Sequence, residues 1–246
     1  MNRDALWIVC CGMKRSGSTL QYQLAAHLVE GAGLGARVGW TEKFADAVAL
    51  TAGTRAWKVY KNHNYSEEIA AQFRAGQAKG IYVYRDVRDV FVSFMHKQDA
   101  PFERLWQRDI LHELVENDAK WTALPDMLVS RYEEMSQDIA AEVGRIAAHL
   151  GIPVSHDEAG AIAGGYNVEL QKARTDQFKD PKSLSSKITF DPHSLLHDNH
   201  ISKTQGQVGQ WRDYLSQAQV DLIETRYGDW LTSHGYALSN ESVSGT

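Results

Sequence analysis

The sequence predicts a single α/β domain with a central, mainly parallel sheet flanked by helices. Three observations carry this. Short apolar, β-rich runs alternate with helical patterns along the chain, the order that generates parallel βαβ units. The first run passes through a glycine-rich turn directly into a helix. The composition is that of an ordinary globular protein, with 43% apolar and 23% charged residues over 246 positions. A chain of this length can bury roughly 70–75% of its unfolded surface, so its core needs no metal or disulfide staple.

The elements follow in order. Residues 6–11 are short and apolar, end at Gly12 and read as a buried strand. Residues 18–30 carry Leu20, Leu24, His27 and Leu28 at helical spacing and close at Gly31. Residues 46–50 form a possible short helix, and 56–60 (AWKVY) a second strand. Residues 66–75 open with Ser-Glu-Glu, a capping signal, and read as a helix. Residues 81–84 (IYVY) are a third strand, followed by a helix over 87–97 and a largely helical stretch over 102–121. Residues 127–131 (MLVSR) are the fourth strand. An amphipathic helix over 135–150 ends at Gly151 and Pro153, and 217–233 form the last helix. Residues 172–207 are polar, hold Pro181 and Pro192 and lack clear periodicity. A loop of that length reads as a covering or disordered segment. The tail 240–246 is polar and expected to fray.

Lys plus Arg is 26 against 31 Asp plus Glu, a net charge of -5. Broad nucleic-acid binding is disfavoured by this balance. Cys10 and Cys11 are adjacent in an apolar run and read as reduced core residues of a cytoplasmic protein. No stretch approaches membrane-spanning length.

Two motifs carry chemistry. Gly12-Met13-Lys14-Arg15-Ser16-Gly17-Ser18-Thr19 sits between the first strand and first helix. It matches the G-x4-G-K-[ST] phosphate loop except that Ser18 replaces the lysine. Glycines let the backbone approach an anion, and helix N-terminal amides point at it. The cations have moved upstream to Lys14 and Arg15, which suggests a phosphate-type anion without the usual triphosphate–magnesium arrangement. The alternative is a Gly/Ser turn before a helix. In the second motif Arg85 follows a strand, where parallel sheets place their ligands. Ser93 stands eight residues later. Arginine can grip a phosphate bidentately and a hydroxyl can add a bond. Arg88 and Asp89 read as solvated charges on a surface helix.

Together these motifs resemble the sulfotransferases that use 3'-phosphoadenosine 5'-phosphosulfate (PAPS) and release the bisphosphate PAP, in a P-loop NTPase-like fold. Arg15-Ser16-Gly17-Ser18-Thr19 resembles the loop that cradles the 5'-phosphosulfate, and Arg85-x7-Ser93 the pattern that binds the 3'-phosphate. Arg131-Tyr132-Glu133-Glu134-Met135 is similar to the run whose tyrosine contacts adenine. Gly206-Gln207-Val208-Gly209-Gln210-Trp211 is similar to the C-terminal signature that closes over the 3'-phosphate. Lys61-Asn62-His63 resembles the family's Lys-Thr-His. The resemblance thus implies His63 as base, with Lys61 and Arg15 as catalytic cations. It implies Lys14, Arg15, Ser16, Gly17, Ser18, Thr19, Arg85, Ser93, Tyr132, Gln205 and Gly206 as donor-binding residues. A histidine titrating near neutrality suits proton removal from a hydroxyl, and a cation near the leaving oxygen stabilises it.

Several positions depart from the pattern. Arg15 replaces a common lysine, Leu20 stands where a stacking tryptophan is frequent, and Thr204-Gln205 replace Arg-Lys, with Lys203 displaced. Tyr166 could supply the stacking. Glu42 is an alternative, carboxylate base. The expected activity is sulfuryl transfer to a hydroxyl acceptor, a small molecule, glycan or lipid, or to an amine. The alternatives are a P-loop small-molecule or nucleoside kinase and a non-catalytic PAP(S)-binding module. The acceptor pocket would come from residues 40–44, 96–108 and 172–200. No metal is implied: His193, His197 and His200 lack companion ligands. Trp106, Trp121 and Trp230 read as core packing. The family's C-terminal dimer motif is absent near Trp211, and the oligomeric state stays open.

Overall fold

Strand β1 (Trp7–Gly12) is buried along its whole length because it is the middle strand of the sheet. Its alternating side chains feed two separate cores. Trp7, Val9 and Cys11 face one, and Ile8 and Cys10 the other. A computed structural model describes residues 6–177, 191, 193–197, 201 and 204–239. Residues 178–190, with Pro181, lie outside the described residues, as do Pro192, His200, Lys203 and the tail 240–246.

The sheet has five parallel strands in the order β2-β3-β1-β4-β5. Beside β1 these are β2 (Gly35–Trp40), β3 (Trp57–Lys61), β4 (Ala78–Tyr84) and β5 (Met127–Arg131). One core lies under α1 (Ser18–Gly31), α8 (Ile139–Leu150) and α9 (His156–Gly164). The other lies under α3 (Glu67–Arg74), α4 (Val87–Gln98), α6 (Ile110–Thr122) and α12 (Gln217–Ser233). Trp106, Trp121 and Trp230 belong to this second core. Cys10 and Cys11 are buried free thiols, and burial pushes Cys10 up to about 12.

Three differences from the sequence reading, and one helical stretch that divides, have local causes. Strand β2 was not foreseen: GARVGW holds two glycines, has no apolar run and carries an irregularity between Arg37 and Gly39. It exists because β3 offers an edge to pair with. The stretch 102–121, expected to be largely helical, is so as two helices, α5 (Phe102–Gln107) and α6, separated where Asp109 adopts φ 51. The helix expected from 135 is likewise two, α7 (Tyr132–Gln137) and α8, joined at extended Asp138, whose side chain caps α8. Finally, residues 172–177 are not loop: they complete α10 (Val168–Gln177). This helix is polar on most faces and buries only Gln171 and Thr175 well, so apolar periodicity could not announce it.

From β1 the chain adds β2 and β3 on one side of the sheet, then crosses to β4 and β5 on the other. Such a reversal opens a crevice at the carboxyl ends of the strands. Each of four strands delivers a candidate residue there: β1 ends at Gly12, β3 at Lys61, β4 just before Arg85 and β5 just before Tyr132.

Candidate active site

A cleft of about 1010 Å³ lies over these strand ends. That is at the upper end of the ~300–1,000 Å³ typical of small-molecule sites. Its walls include Lys14, Arg15, Gly17, Ser18, Thr19, Lys61, His63, Arg85, Ser93, Tyr132, Gln205 and Gly206. Five cations (Lys14, Arg15, Lys61, Arg85 and Lys97) stand on it, and among the described residues no carboxylate does. In a chain with net charge -5, this is a local excess of positive potential suited to an anion.

The loop's backbone is shaped by close approach. Gly12 has φ 146, and a Cβ there would stand 2.7 Å from the Val83 carbonyl. Gly17 has φ 85, and a Cβ would stand 2.9 Å from the Tyr132 ring. Gly17 also begins α1, and no side chain caps the helix, so its first-turn amides open onto the cleft. The Ser16 hydroxyl does not: it donates to the Met13 and Val83 carbonyls at 2.6 and 3.0 Å and pins the loop from beneath. Lys14 pairs with Glu113 at 3.2 Å on the exposed rim.

Arg15 holds φ 72 and turns its Nε to Ser93 Oγ at 2.9 Å. Ser93, expected with Arg85 on the 3'-phosphate, lines the same cleft, and its hydroxyl meets the loop arginine. Burial, and then the neighbouring Arg85, pull Arg15 down to about 10. Arg85 donates through Nη2 to the carbonyls of Gly206 and Gln207 at 3.2 and 2.6 Å and to Asp89 at 3.3 Å. Its guanidinium lies 4.3 Å over the Tyr132 ring, and its buried Nε has no partner among the described residues. The Tyr132 hydroxyl donates to the Gly206 carbonyl at 2.8 Å, and a Cβ on Gly206 would stand 2.1 Å from it. The glycine loop at 204–210, with Gln205 and Gly206 both at positive φ, is thus drawn down over Arg85 and Tyr132.

Lys61, His63 and Gly12 form a chain. The His63 Nδ1 lies 2.8 Å from the Gly12 carbonyl, which can only accept, so Nδ1 carries the proton. Nε2 is then the bare nitrogen, and Lys61 Nζ sits 3.2 Å from it while donating to Ser18 Oγ at 3.0 Å. Trp121 Nε1 donates to the His63 carbonyl at 3.3 Å and fixes the backbone. Burial lowers Lys61 to about 8. Its hydrogen-bond partners among the described residues, a hydroxyl and an imidazole, carry no counter-charge. Asn62, between them, donates to Tyr60 Oη and accepts from the Asn64 amide, each at 2.8 Å.

Arg88 and Asp89 correct the expectation of solvated charges: they are 2% and 1% exposed. Arg88 pairs with Asp86 at 2.7 Å and Glu224 at 2.5 Å and stacks 4.1 Å over Trp211. Asp89 accepts from the amides of Gly209 and Trp211 at 2.7 and 3.0 Å. They tie the C-terminal loop to α4, a role that Asp89, four residues after Arg85, signals only once the helix is known. Glu42 is exposed and off the cleft walls. Leu20 and Tyr166 both line the cleft. So do Trp40, Lys97, Leu195 and Leu196, which lie in the segments expected to form the acceptor pocket, and Gln23, Phe94, Gln171 and Ile201, which lie outside them. His193 contacts Arg37 and His197 lines the cleft. Among the described residues no group of three His, Cys, Asp or Glu side chains could hold a metal.

The bare Nε of Arg85, the uncompensated ammonium of Lys61 and the glycine-shaped loop fit a ligand with separate phosphate-type anions. Parallel sheet, phosphate-type loop and cationic strand ends together define an anion-handling α/β protein of the P-loop-like kind. Within that class the chain belongs to the sulfotransferase-domain family, whose model matches residues 5–235. It is 26% identical over 208 residues to sulfotransferase 2B1 of Homo sapiens, covering 78% of this chain and 54% of that protein. A flavonol sulfotransferase-like protein of Flaveria bidentis is 26% identical over 186 residues, 67% of this chain and 58% of the relative. The chain therefore spans between half and three-fifths of these two relatives. Among solved structures, retinol dehydratase in complex with androsterone and inactive cofactor PAP superposes with a TM-score of 0.65 at 17% identity, over 95% of this chain and 83% of that one. Mouse sulfotransferase SULT7A1 complexed with PAP gives 0.59 at 19% identity, over 94% of this chain and 86% of that one. The family model and the relatives named here lend no support to the kinase reading.

Proposed function

We propose that this chain moves a sulfuryl group from PAPS to the hydroxyl of a small-molecule acceptor. The observation that carries the proposal is the His63 geometry: its Nδ1 proton is committed to Gly12, and its unprotonated Nε2 accepts from a buried cation at the mouth of the loop. The donor supplies a sulfuryl group already joined to a phosphate leaving group. His63 Nε2 takes the hydroxyl proton, and the Gly12 carbonyl steadies the imidazolium through Nδ1–H. Lys61, Arg15 and the amides of Ser18 and Thr19 hold the loop anion and the charge that grows on it. Arg85, with Nε bare, receives the second phosphate under Gly206. Tyr132 and Leu20 flank the base, with Tyr166 as a further aromatic wall. The loop seats Ser16 beneath, and Lys14 adds charge at its rim.

The relatives include proteins named for flavonols and for a 3-alpha-hydroxysteroid, and Trp40, Phe94 and Val208 add apolar surface to this cleft. Hydroxylated aromatic and alicyclic molecules therefore head the acceptor panel, with sugars and lipids behind them. Two buried free thiols support a cytoplasmic site of action. Among the described residues no helix is long and apolar enough to cross a membrane.

The test has two stages. PAP at 100 times its dissociation constant should stabilise the fold by about 2.7 kcal/mol, several degrees for a chain of this size. Adenosine 5'-phosphate and magnesium–ATP should do less. Labelled PAPS with the panel should then give product, and His63→Ala should lower turnover roughly 10²–10⁴-fold while PAP still binds. Undiminished turnover in His63→Ala would remove the histidine from the reaction. Binding with no turnover by the wild type would leave a PAP-binding module.

A further inference from the structure

Lys61 is an unusual neighbour for a base. It is fully buried, yet no carboxylate meets it among the described residues; its two hydrogen-bond partners are the Ser18 hydroxyl and the His63 ring. The titratable groups bearing on it are Cys10 and Cys11, which burial keeps as neutral thiols. Burying a charge without a counter-charge is costly unless an anion is to arrive. The His63 ring, meanwhile, cannot turn away: Nδ1 is tied to Gly12 and the backbone carbonyl is tied to Trp121. Its single lone pair at Nε2 is the one atom able to receive a proton, and Lys61 occupies it.

We propose that Lys61 gates the base: in the ligand-free protein its ammonium caps His63 Nε2, and an anion seated in the Gly12–Thr19 loop draws Lys61 away and uncaps it. This rests on the sulfuryl-transfer reading above and adds an order to it. Ser18 is the pivot. It belongs to the loop that receives the anion and already holds one of the three ammonium protons. The ammonium–imidazole bond has one charged partner, whereas ammonium and phosphate carry opposite charges in a buried site, so the anion outcompetes the imidazole. Lys61 then serves the loop anion, and Nε2 is bare when the acceptor hydroxyl arrives. On reaction that hydroxyl's proton passes to Nε2, the acceptor oxygen bonds to sulfur, and the old sulfur–oxygen bond leaves its electron pair on the phosphate. An acceptor arriving before the donor meets no base, which prevents unproductive proton removal.

The experiment is long-range 1H–15N spectroscopy of 15N-histidine-labelled full-length protein, with His63 assigned by its loss in His63→Asn. Ligand-free wild type should show His63 Nε2 displaced upfield of an unbonded bare nitrogen. Lys61→Met should move it downfield without ligand. PAP should produce a downfield shift of the same sense in the wild type and little further shift in Lys61→Met. Removing an uncompensated buried charge should not unfold the chain, and a melting curve checks this. The cap is overturned if wild type and Lys61→Met give the same ligand-free Nε2 resonance. The gate is overturned if calorimetry shows PAP bound and Nε2 stays where it was. Absence of PAP binding would instead overturn the donor reading, and the opening step with it, while the ligand-free comparison still reads the cap separately.

Discussion

Arg85 and Lys61 handle charge in different ways, and each makes a separate prediction. Arg85 is braced by two carbonyls, Asp89 and the Tyr132 ring, and its buried Nε has no partner among the described residues. Losing a charged hydrogen bond costs about 1.5–3 kcal/mol. Arg85→Ala should therefore weaken PAP roughly 10–100-fold by calorimetry, and adenosine 5'-phosphate, which lacks the 3'-phosphate, much less. Equal losses for both ligands would place Arg85 on the 5' side. Lys61 is destabilising while charged, because burial holds it at about 8, below its ordinary 10.5. Its folded value lies below its unfolded one, so the cost is fully present below pH 8 and is relieved as pH rises from there towards 10.5. Lys61→Met should raise the melting temperature at pH 7, and the gain should shrink across that window. A gain independent of pH would mean that packing, not charge, is responsible. Much of this scale was legible beforehand. The resemblance pointed to Arg15, Lys61, His63 and Arg85, all of which line the cleft, but nothing in the spacing told that Ser93 meets Arg15 or that Arg88 and Asp89 are buried.

At the scale of elements, the glycine loop at 204–210 is held by α4 and α7. Asp89 takes the Gly209 amide and that of Trp211 just beyond the loop, Arg85 two of its carbonyls and Tyr132 the Gly206 carbonyl again. Gly206 sits at φ 78 with no room for a Cβ beside Tyr132. Gly206→Ala should lift the loop and weaken PAP by about tenfold or more (≥ ~1.4 kcal/mol), with a smaller effect on thermal stability because the loop lies outside both cores. A normal PAP affinity in that variant would show that closure is unnecessary for binding. Helices α7, α8 and α10 explain why element boundaries were harder to read than strands. A strand buried on both faces announces itself by an apolar run, whereas α10 is polar and its start and end depend on what it packs against.

Across the whole molecule, the C-terminal helix is locked to the sheet by buried charges. Arg88 lies between Asp86 and Glu224, so Arg88→Met would strand two buried carboxylates at a cost of about 3–5 kcal/mol. A fall in melting temperature on the order of 10 °C follows. A change of a degree or two would show that the cluster is relaxed or hydrated. A second lock is His234, which donates to buried Asp118 at 3.0 Å and stacks on Trp230. Burial opposes its charge, but the Asp118 hydrogen bond and charge prevail and raise it above 6.5. Its contribution is therefore fully present below pH 6.5 and lost as pH rises through the raised value. The melting-temperature gap between wild type and His234→Gln should be widest near pH 6 and narrow towards pH 8. A gap that widens with pH would reverse the assignment.

By itself the sequence determined the alternation of strands and helices, the phosphate-type loop without its lysine, and the cations at the strand ends. These depend on local signals: apolar runs, glycines in required conformations and residue types at fixed offsets. The tertiary structure decided the strand order, the pairing of β2 along the edge of β3, the burial of Arg88 and Asp89, and the contact between Lys61 and His63 Nε2. Those depend on which distant segments meet. Ser18, Lys61 and His63 come from a helix start and a strand end 43 residues apart, and no spacing rule brings them within hydrogen-bond reach until the parallel sheet sets β1 beside β3.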